Sequence, residues 1–158
     1  MLVDDKVVVM TGYTRFAAYS IPLDSKGDIT DTDKPVWKLN DGTPYVSSPL
    51  LYEGLLYFTK DRNNLLTTVD ARTGEQLITR KRLPETASVY ASPVAAAGRV
   101  YICNREGTTV VLEHTRDTEM KVICTNTLSS DAIDASPAIV GKEIFLRTGG
   151  HLYCIAEG

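Results

Sequence analysis

The sequence has few of the residues and runs that most often reveal a protein's chemistry. Its 158 residues include three cysteines, two histidines and one tryptophan. No apolar run approaches the roughly 18 residues of a membrane-spanning helix. The opening residues Met1-Leu2-Val3-Asp4-Asp5 lack the basic and apolar regions of a signal peptide. We therefore expect no membrane span, and the sequence itself carries no address.

Basic charge is also scarce. Seventeen lysines and arginines stand against 20 aspartates and glutamates, which gives a formal charge of −3 and a sequence pI of about 5.4. Nucleic acids and anionic lipids are bound through basic surfaces. We therefore expect neither as a partner.

Motifs of catalysis are missing as well. There is no Gly-x-Ser-x-Gly, no Walker loop, no His-Glu-x-x-His and no dinucleotide fingerprint. His114 and His151 are isolated, which favours structural turn or loop residues over a catalytic base or metal ligand. The acidic stretch 24–34 lacks the Asp-x-Asp-x-Asp-Gly spacing of a calcium loop, and we interpret it as a solvated surface loop.

What the sequence does contain is a repeat. The pairs Ser48-Pro49, Ser92-Pro93 and Ser136-Pro137 lie 44 residues apart. Each pair is followed by a short apolar run, a two-residue turn with glycine, and a second apolar run. The turns are Glu53-Gly54, Ala97-Gly98 and Gly141-Lys142. Such a unit predicts a β-hairpin, because the turn needs a positive φ that glycine adopts without steric cost.

The second strand of each hairpin is apolar on consecutive positions, which predicts that both of its faces are buried. A strand-only repeat with a period in the forties is typical of a β-propeller, in which each repeat is a four-stranded blade. We therefore predict an all-β fold, a partial β-propeller of about four blades of four antiparallel strands. The predicted blades are 1–44, 45–88, 89–132 and 133–158, the last without its outer strand.

Several residues take structural roles in this scheme. Asp4-Asp5 is the predicted hairpin turn of the first blade, whose Ser-Pro opening is absent, and Trp37 is a packing residue of an outer strand. Cys103 and Cys124 fall on the second and fourth strands of one blade, too far apart for a disulfide. Cys154 lies in the next blade. All three cysteines are expected to be buried free thiols.

An Ala-Ser-Pro strand, a glycine hairpin, an apolar-aromatic strand and Asp70-Ala71-Arg72-Thr73-Gly74-Glu75 together resemble the pyrroloquinoline-quinone-like (PQQ-like, or quinoprotein-like) β-propeller repeat. The third blade departs from this turn motif, and Ile78 and Val122 replace the tryptophan usual in the fourth strand. The WD-type propeller is disfavoured, since no Gly-His or Trp-Asp pair occurs. The resemblance implies the C-terminal four blades of a bacterial propeller of seven or eight blades, periplasmic or extracellular.

The expected binding surface is the face formed by the loops between second and third strands and the linkers between blades. The candidate residues on it are Arg15, Arg62, Arg105, Arg147, Tyr45, Tyr90 and Asp134. The rigid guanidinium fork suits carboxylate or phosphate recognition, so the four arginines predict a surface for an acidic partner. The alternative is that these loop arginines are simply solvated.

Two functions remain open. One is a non-catalytic propeller that binds proteins or serves as a scaffold, similar to the propeller lipoprotein that assists outer-membrane protein assembly. The other is a fragment of a quinoprotein dehydrogenase that oxidises alcohols or sugars with PQQ and calcium. No acidic base, calcium site or vicinal Cys-Cys pair of that family is recognisable, so the sequence favours the binding module, without cofactor or metal. The expected partner is another protein or a second copy of the chain, in a homodimer that buries exposed flanks.

Overall fold

The computed structural model describes residues 1–30, 33–60, 64–85, 88–128 and 131–156. These residues form β-strands, turns and loops and contain no helix, and therefore none that is long and apolar enough to cross a membrane. The all-β prediction is confirmed. The strands in chain order are β1 (Leu2–Val3), β2 (Lys6–Thr11), β3 (Ala17–Pro22), β4 (Trp37–Leu39), β5 (Leu50–Tyr52), β6 (Leu55–Lys60), β7 (Leu65–Asp70), β8 (Gln76–Arg82), β9 (Val94–Ala96), β10 (Arg99–Cys103), β11 (Thr108–Glu113), β12 (Val122–Thr127), β13 (Ala138–Val140), β14 (Glu143–Arg147) and β15 (Leu152–Ala156).

The strands form four antiparallel meanders, which we call blades 1 to 4. Their orders are β1-β2-β3-β4, β5-β6-β7-β8, β9-β10-β11-β12 and, among the described residues, the three-stranded β13-β14-β15. The predicted hairpins are present in register, with Leu51 opposite Leu56 and Ile139 opposite Ile144. Their turns have the expected positive φ, for example 44° at Glu53 and 80° at Gly54. Blade 1 retains a two-residue first strand although it lacks the Ser-Pro opening.

The core lies between blades rather than within them. Alternate residues of each strand point to opposite faces of the sheet, so Leu56 and Phe58 of β6 pack against blade 1 while Leu55 and Tyr57 pack against blade 3. All four are at most 2% exposed. The predicted burial of both faces is confirmed for this strand.

The serine of the repeat has a role that the sequence alone did not show. The backbone N–H of Ser48 donates to Ser92 Oγ at 2.9 Å, and the N–H of Ser92 donates to Ser136 Oγ at 2.9 Å. Ser92 and Ser136 therefore each accept a hydrogen bond from the backbone of the preceding copy of the repeat. These bonds connect blade 2 to blade 3 and blade 3 to blade 4.

The turn motif of blade 2, residues 70–75, contacts Trp37 of blade 1. Asp70 Oδ1 accepts hydrogen bonds from the N–H groups of Arg72 and Thr73 at 3.0 and 2.9 Å. Gly74 closes the turn with a φ of 77°, directly under the Trp37 indole. Trp37 is 7% exposed, and its Nε1–H donates to the carbonyl of Ala71 at 3.1 Å. The predicted packing role of Trp37 is therefore an inter-blade contact.

One expectation, the burial of all three cysteines, needs correction. Only Cys103 is a buried thiol, and Cys124 and Cys154 are exposed. Cys154 lies in the last described blade, where no further blade covers its sheet face. Burial raises the pKa of the Cys103 thiol to about 11.

Candidate functional site: the loop face

One end of the blades collects most of the chemically distinctive loops. In an antiparallel meander the second and fourth strands run in the same direction. The loops that leave the second strands therefore lie at the same end as the linkers that leave the fourth strands. We call this end the loop face, and its described loops and linkers include residues 12–16, 40–49, 88–93, 104–107 and 131–137.

Three predicted residues come together on the loop face between blades 2, 3 and 4. Arg105 forms a two-point ion pair with Asp134, with Nε–Oδ1 at 2.7 Å and Nη2–Oδ2 at 3.4 Å. The Arg105 guanidinium also lies 4.5 Å from the centroid of the Tyr90 ring. Hydrogen bonding and charge from Asp134 raise the pKa of Arg105 further, so this arginine is a charged but internally paired group.

Backbone contacts hold this cluster in place. The Arg105 N–H donates to the carbonyl of Ser88 at 2.9 Å, in the linker that carries Tyr90. Asn104 organises the loop, since its Oδ1 accepts from the N–H groups of Glu106 at 3.0 Å and Thr108 at 2.8 Å. Fixed backbones on both sides set the geometry of the cation–π contact and of the ion pair.

A second cluster lies on blade 1 and its linker to blade 2. The rings of Tyr13 and Tyr45 stack with centroids 5.4 Å apart and planes 23° apart. Tyr13 is 73% exposed and Tyr45 is 50% exposed. Gly12 makes this approach possible, because a Cβ at Gly12 would lie 1.8 Å from the carbonyl oxygen of Pro44.

A groove of about 570 Å³ opens beside these rings. It is lined by Met10, Tyr13, Tyr45, Ser48 and Pro49, among others. Its wall combines apolar residues with two tyrosines and two serines. Stacked aromatic rings beside such a groove offer rigid apolar contact area together with a polar handle.

A third cluster repeats the pairing of a cation with an aromatic ring and a carboxylate. Lys60 Nζ lies 4.3 Å from the centroid of the Phe16 ring and 3.0 Å from Asp41 Oδ1. Arg80 also pairs with Asp41. The hydrogen bond from Lys60 lowers the pKa of Asp41 below its usual range. Both clusters therefore place cations that are paired with a carboxylate next to an aromatic ring.

The other predicted residues lie elsewhere. Arg15 is exposed in the loop 12–16, and Arg62 lies outside the described residues. Arg147 was predicted to lie in a loop but is the last residue of β14, opposite Leu152. Arg147 lies one 44-residue repeat after Cys103, and Cys103 is the last residue of β10. The repeat therefore predicts a strand end, not a loop, at position 147. The surface for an acidic partner formed by the four arginines stays a prediction.

Sequence reasoning missed Tyr13, Phe16, Lys60 and Asp41. For Tyr13 the available signal was its place beside Gly12 in a loop of the predicted face. Partners such as Tyr45 and Pro44 are more than 30 residues away, so no local pattern announces them.

Ionisable groups elsewhere serve the joints between blades. Tyr57 Oη lies 2.8 Å from His114 Nδ1, and His114 Nε2 lies 3.4 Å from Glu53 Oε2. Burial raises the pKa of Tyr57 to about 12, so its hydroxyl remains a donor. Asp28, in the acidic stretch, accepts a hydrogen bond from the Thr30 N–H at 2.8 Å. Within the described part of the chain, no group of three or more His, Cys, Asp or Glu side chains is arranged to hold a metal ion.

Comparison with known proteins finds similar folds among solved structures. No protein-family model matches the chain, and no curated protein matches its sequence. Among solved structures, BamB from Moraxella catarrhalis superposes with a TM-score of 0.68 at 13% identity, covering 96% of this chain and 43% of BamB. The computationally designed Ika4 protein gives a TM-score of 0.69 at 9% identity, covering 99% of this chain and 88% of Ika4.

Two further structures extend the comparison. The designed Ika8 protein gives a TM-score of 0.62 at 10% identity, covering 95% of this chain and 46% of Ika8. A europium-containing methanol dehydrogenase gives a TM-score of 0.58 at 13% identity, covering 84% of this chain and 24% of that enzyme. The likeness to BamB and methanol dehydrogenase supports a PQQ-like β-propeller fold. The chain spans less than half the length of BamB, Ika8 and the dehydrogenase.

Proposed function

We propose that the chain is a non-catalytic PQQ-like propeller repeat module whose loop face binds another protein. The observation that carries this proposal is the exposed Tyr13–Tyr45 stack beside its groove. Tyrosine, tryptophan and arginine dominate the energetics of protein interfaces, since they bury large areas with few rotatable bonds. The cluster of Tyr90, Arg105 and Asp134 extends the same surface.

The pairing of cations with carboxylates on this face supports a partner that is recognised through aromatic contacts more than through charge. Arg105 is paired with Asp134, and Lys60 and Arg80 are paired with Asp41. Paired cations attract an anion less strongly than isolated ones, because the neighbouring carboxylate offsets their field. Arg15, two positions from Tyr13, and Arg147 are both exposed, and neither forms an ion pair with another described residue.

The test uses peptides selected from a random display library on the immobilised chain. Selected peptides are then measured against a Tyr13→Ala, Tyr45→Ala double variant. We expect the affinity to fall by at least about tenfold, since buried tyrosine anchors are worth more than roughly 1.4 kcal/mol. The control is a Val122→Ala, Ile123→Ala double variant, because both residues are exposed on β12 at the end far from the loop face. Equal binding by the two double variants, or no enriched peptide, would contradict the proposal.

The alternative is a fragment of a quinoprotein dehydrogenase, for which the likeness to methanol dehydrogenase is the supporting observation. Absorbance of the purified chain after addition of PQQ and calcium separates the two. A stoichiometric, tightly held chromophore would favour the alternative. A chromophore that is lost on gel filtration would favour the binding module.

A further inference from the structure

The three joints between blades share one construction. In every joint, one face of a blade packs against a face of the next blade. Successive residues of a strand point alternately toward the preceding blade and toward the following blade. Val8 and Ala18 of blade 1 meet Leu56 and Phe58 of blade 2. Ile144 and Leu146 of blade 4 meet Cys103 of blade 3. Each blade therefore has one face for the preceding blade and another for the following blade.

The free face of blade 1 is the one that a preceding blade would cover. Strand alternation places Leu2, Val7 and Val9 there, opposite in direction to the buried Val3 and Val8. Leu2 is 62% exposed and Val9 is 42% exposed. Across the sheet from Val7 and Val9 lie Ile21 and Tyr19, so the apolar stripe continues onto β3.

The free face of blade 4 is the one that a following blade would cover. Here alternation places Val140, Phe145, Leu152 and Cys154, since the neighbouring Ile144, Leu146 and Tyr153 pack toward blade 3. Glu143 and Arg147 flank Phe145 on the same face, at the two ends of β14. Val140 is 61% exposed and Leu152 is 71% exposed. Phe145 occupies the same repeat position as Tyr57 of blade 2. Tyr57 is buried against the following blade, blade 3.

We infer that the two free faces pair between two copies of the chain, blade 4 of one copy against blade 1 of the other. A second copy is the partner that carries both complementary faces of the same repeat, so the new joint continues the three joints already present. A two-fold operation makes two such joints at once and leaves no free face. BamB and Ika8 are each more than twice as long as their matched parts, so two copies supply a comparable length. The pair forms one ring of eight blades, each rotated by about 45°.

The first test is the molar mass of the purified chain and of two flank variants, measured by light scattering with chromatography. We expect a species of twice the 17.3 kDa chain mass. Val9→Glu and Leu152→Glu each place a charge in both joints and should give monomers. Ile123→Glu is the matched control, because Ile123 is a 49% exposed strand residue on the internal blade 3. It should remain a dimer.

Mixing the two monomeric variants tests the geometry of the joint. A mixed pair has one joint with both glutamates and one joint that is entirely native, so a dimer should be recovered. If only one of the two variants dissociated the dimer, a face would be pairing with itself and the inference would be wrong. A monodisperse monomer, open polymers, or flank variants that remain dimeric would overturn it equally.

Thiol reactivity gives a second readout that does not depend on size. Cys154 and Cys124 are both exposed in the single chain, but only Cys154 lies on a free face. In the pair, maleimide should modify Cys154 at least about tenfold more slowly than Cys124. In the Leu152→Glu variant the two rates should become similar. Equal rates in the native chain would refute the buried joint.

Discussion

Replacing Gly74 by alanine should destabilise the joint between blades 1 and 2 through two separable effects. Gly74 has a φ of 77°, a conformation that side chains rarely adopt. A Cβ there would also lie 2.5 Å from Trp37 Cγ and 2.6 Å from Trp37 Cβ. The indole cannot retreat freely, because it is buried and its Nε1–H is bonded to the Ala71 carbonyl.

The magnitude follows from the two effects. A left-handed conformation costs an alanine about 1–2 kcal/mol relative to glycine. Forcing an extra carbon into a packed contact costs about 1–3 kcal/mol more. The sum is about 2–5 kcal/mol, which for a chain of this size lowers the melting temperature by roughly 5–15 °C.

Gly54→Ala is the matched control. Gly54 has a φ of 80°, yet no atom lies within 4 Å of the position that a Cβ would take there. It therefore carries only the conformational cost. Thermal unfolding followed by far-ultraviolet circular dichroism should show Gly74→Ala to be the less stable variant by about 1–3 kcal/mol. In a Trp37→Ala background this difference should disappear. Equal stability of the two glycine variants in the native background would show that the close packing of Trp37 on Gly74 is not present.

Two further predictions concern pH. Asp70 is partly desolvated, which opposes ionisation, but hydrogen bonds from Thr73 and Arg72 and the charge of Arg116 outweigh this and lower the pKa of Asp70 below 3.8. This contribution is therefore present above pH 3.8 and is lost as the pH falls through the lowered pKa of Asp70. Asp70→Asn should be less stable by about 1–3 kcal/mol at pH 7, and in urea unfolding this difference should shrink as the pH falls below 3.8. A constant difference across that range would contradict this. Burial raises the pKa of Tyr57 to about 12, so the neutral hydroxyl stabilises the fold below pH 10 and this contribution is lost as the pH rises toward 12. Tyr57→Phe should show a weaker loss of stability between pH 9 and 11 than the native chain, and parallel curves would argue against burial of the hydroxyl.

The strands and their register could be predicted because the information is local and repeated. Leu56, Val100 and Ile144 occupy one position of a 44-residue period, and each follows a turn with glycine. Backbone sterics then determine the hairpin. The same period also predicts that Arg147 is a strand residue, since Cys103 precedes it by one repeat and belongs to an apolar strand.

The candidate site was less predictable because its contacts cross blade boundaries. Tyr13 meets Tyr45 only because Gly12 lets the chain approach Pro44, a contact between segments 32 residues apart. Asp134 was predicted as a loop residue, but its pairing with Arg105 depends on the relative position of two blades. Such pairings follow from three-dimensional placement, for which the period gives the order of the blades but not their side-chain contacts.

Polar contacts at the opposite end of the blades show what distinguishes one joint from another. Arg72 pairs with Asp4 at 2.9 Å across the first joint, and Arg116, one repeat later, pairs with Asp70 at 2.6 Å across the second. Exposed ion pairs of this kind contribute at most about 1 kcal/mol each, so they select the register of a joint more than they provide its strength. The strength comes from apolar contacts such as that between Tyr57 and Val100, whose repeat positions also hold apolar or aromatic residues in the other hairpins. All joints draw their stability from the same kind of apolar contact, and the ion pairs discriminate only weakly between one blade and another. A free face that carries the repeat pattern is therefore compatible with any blade bearing the complementary face. This is the physical reason why the outward face of Phe145 and Leu152 should accept blade 1 of a second copy.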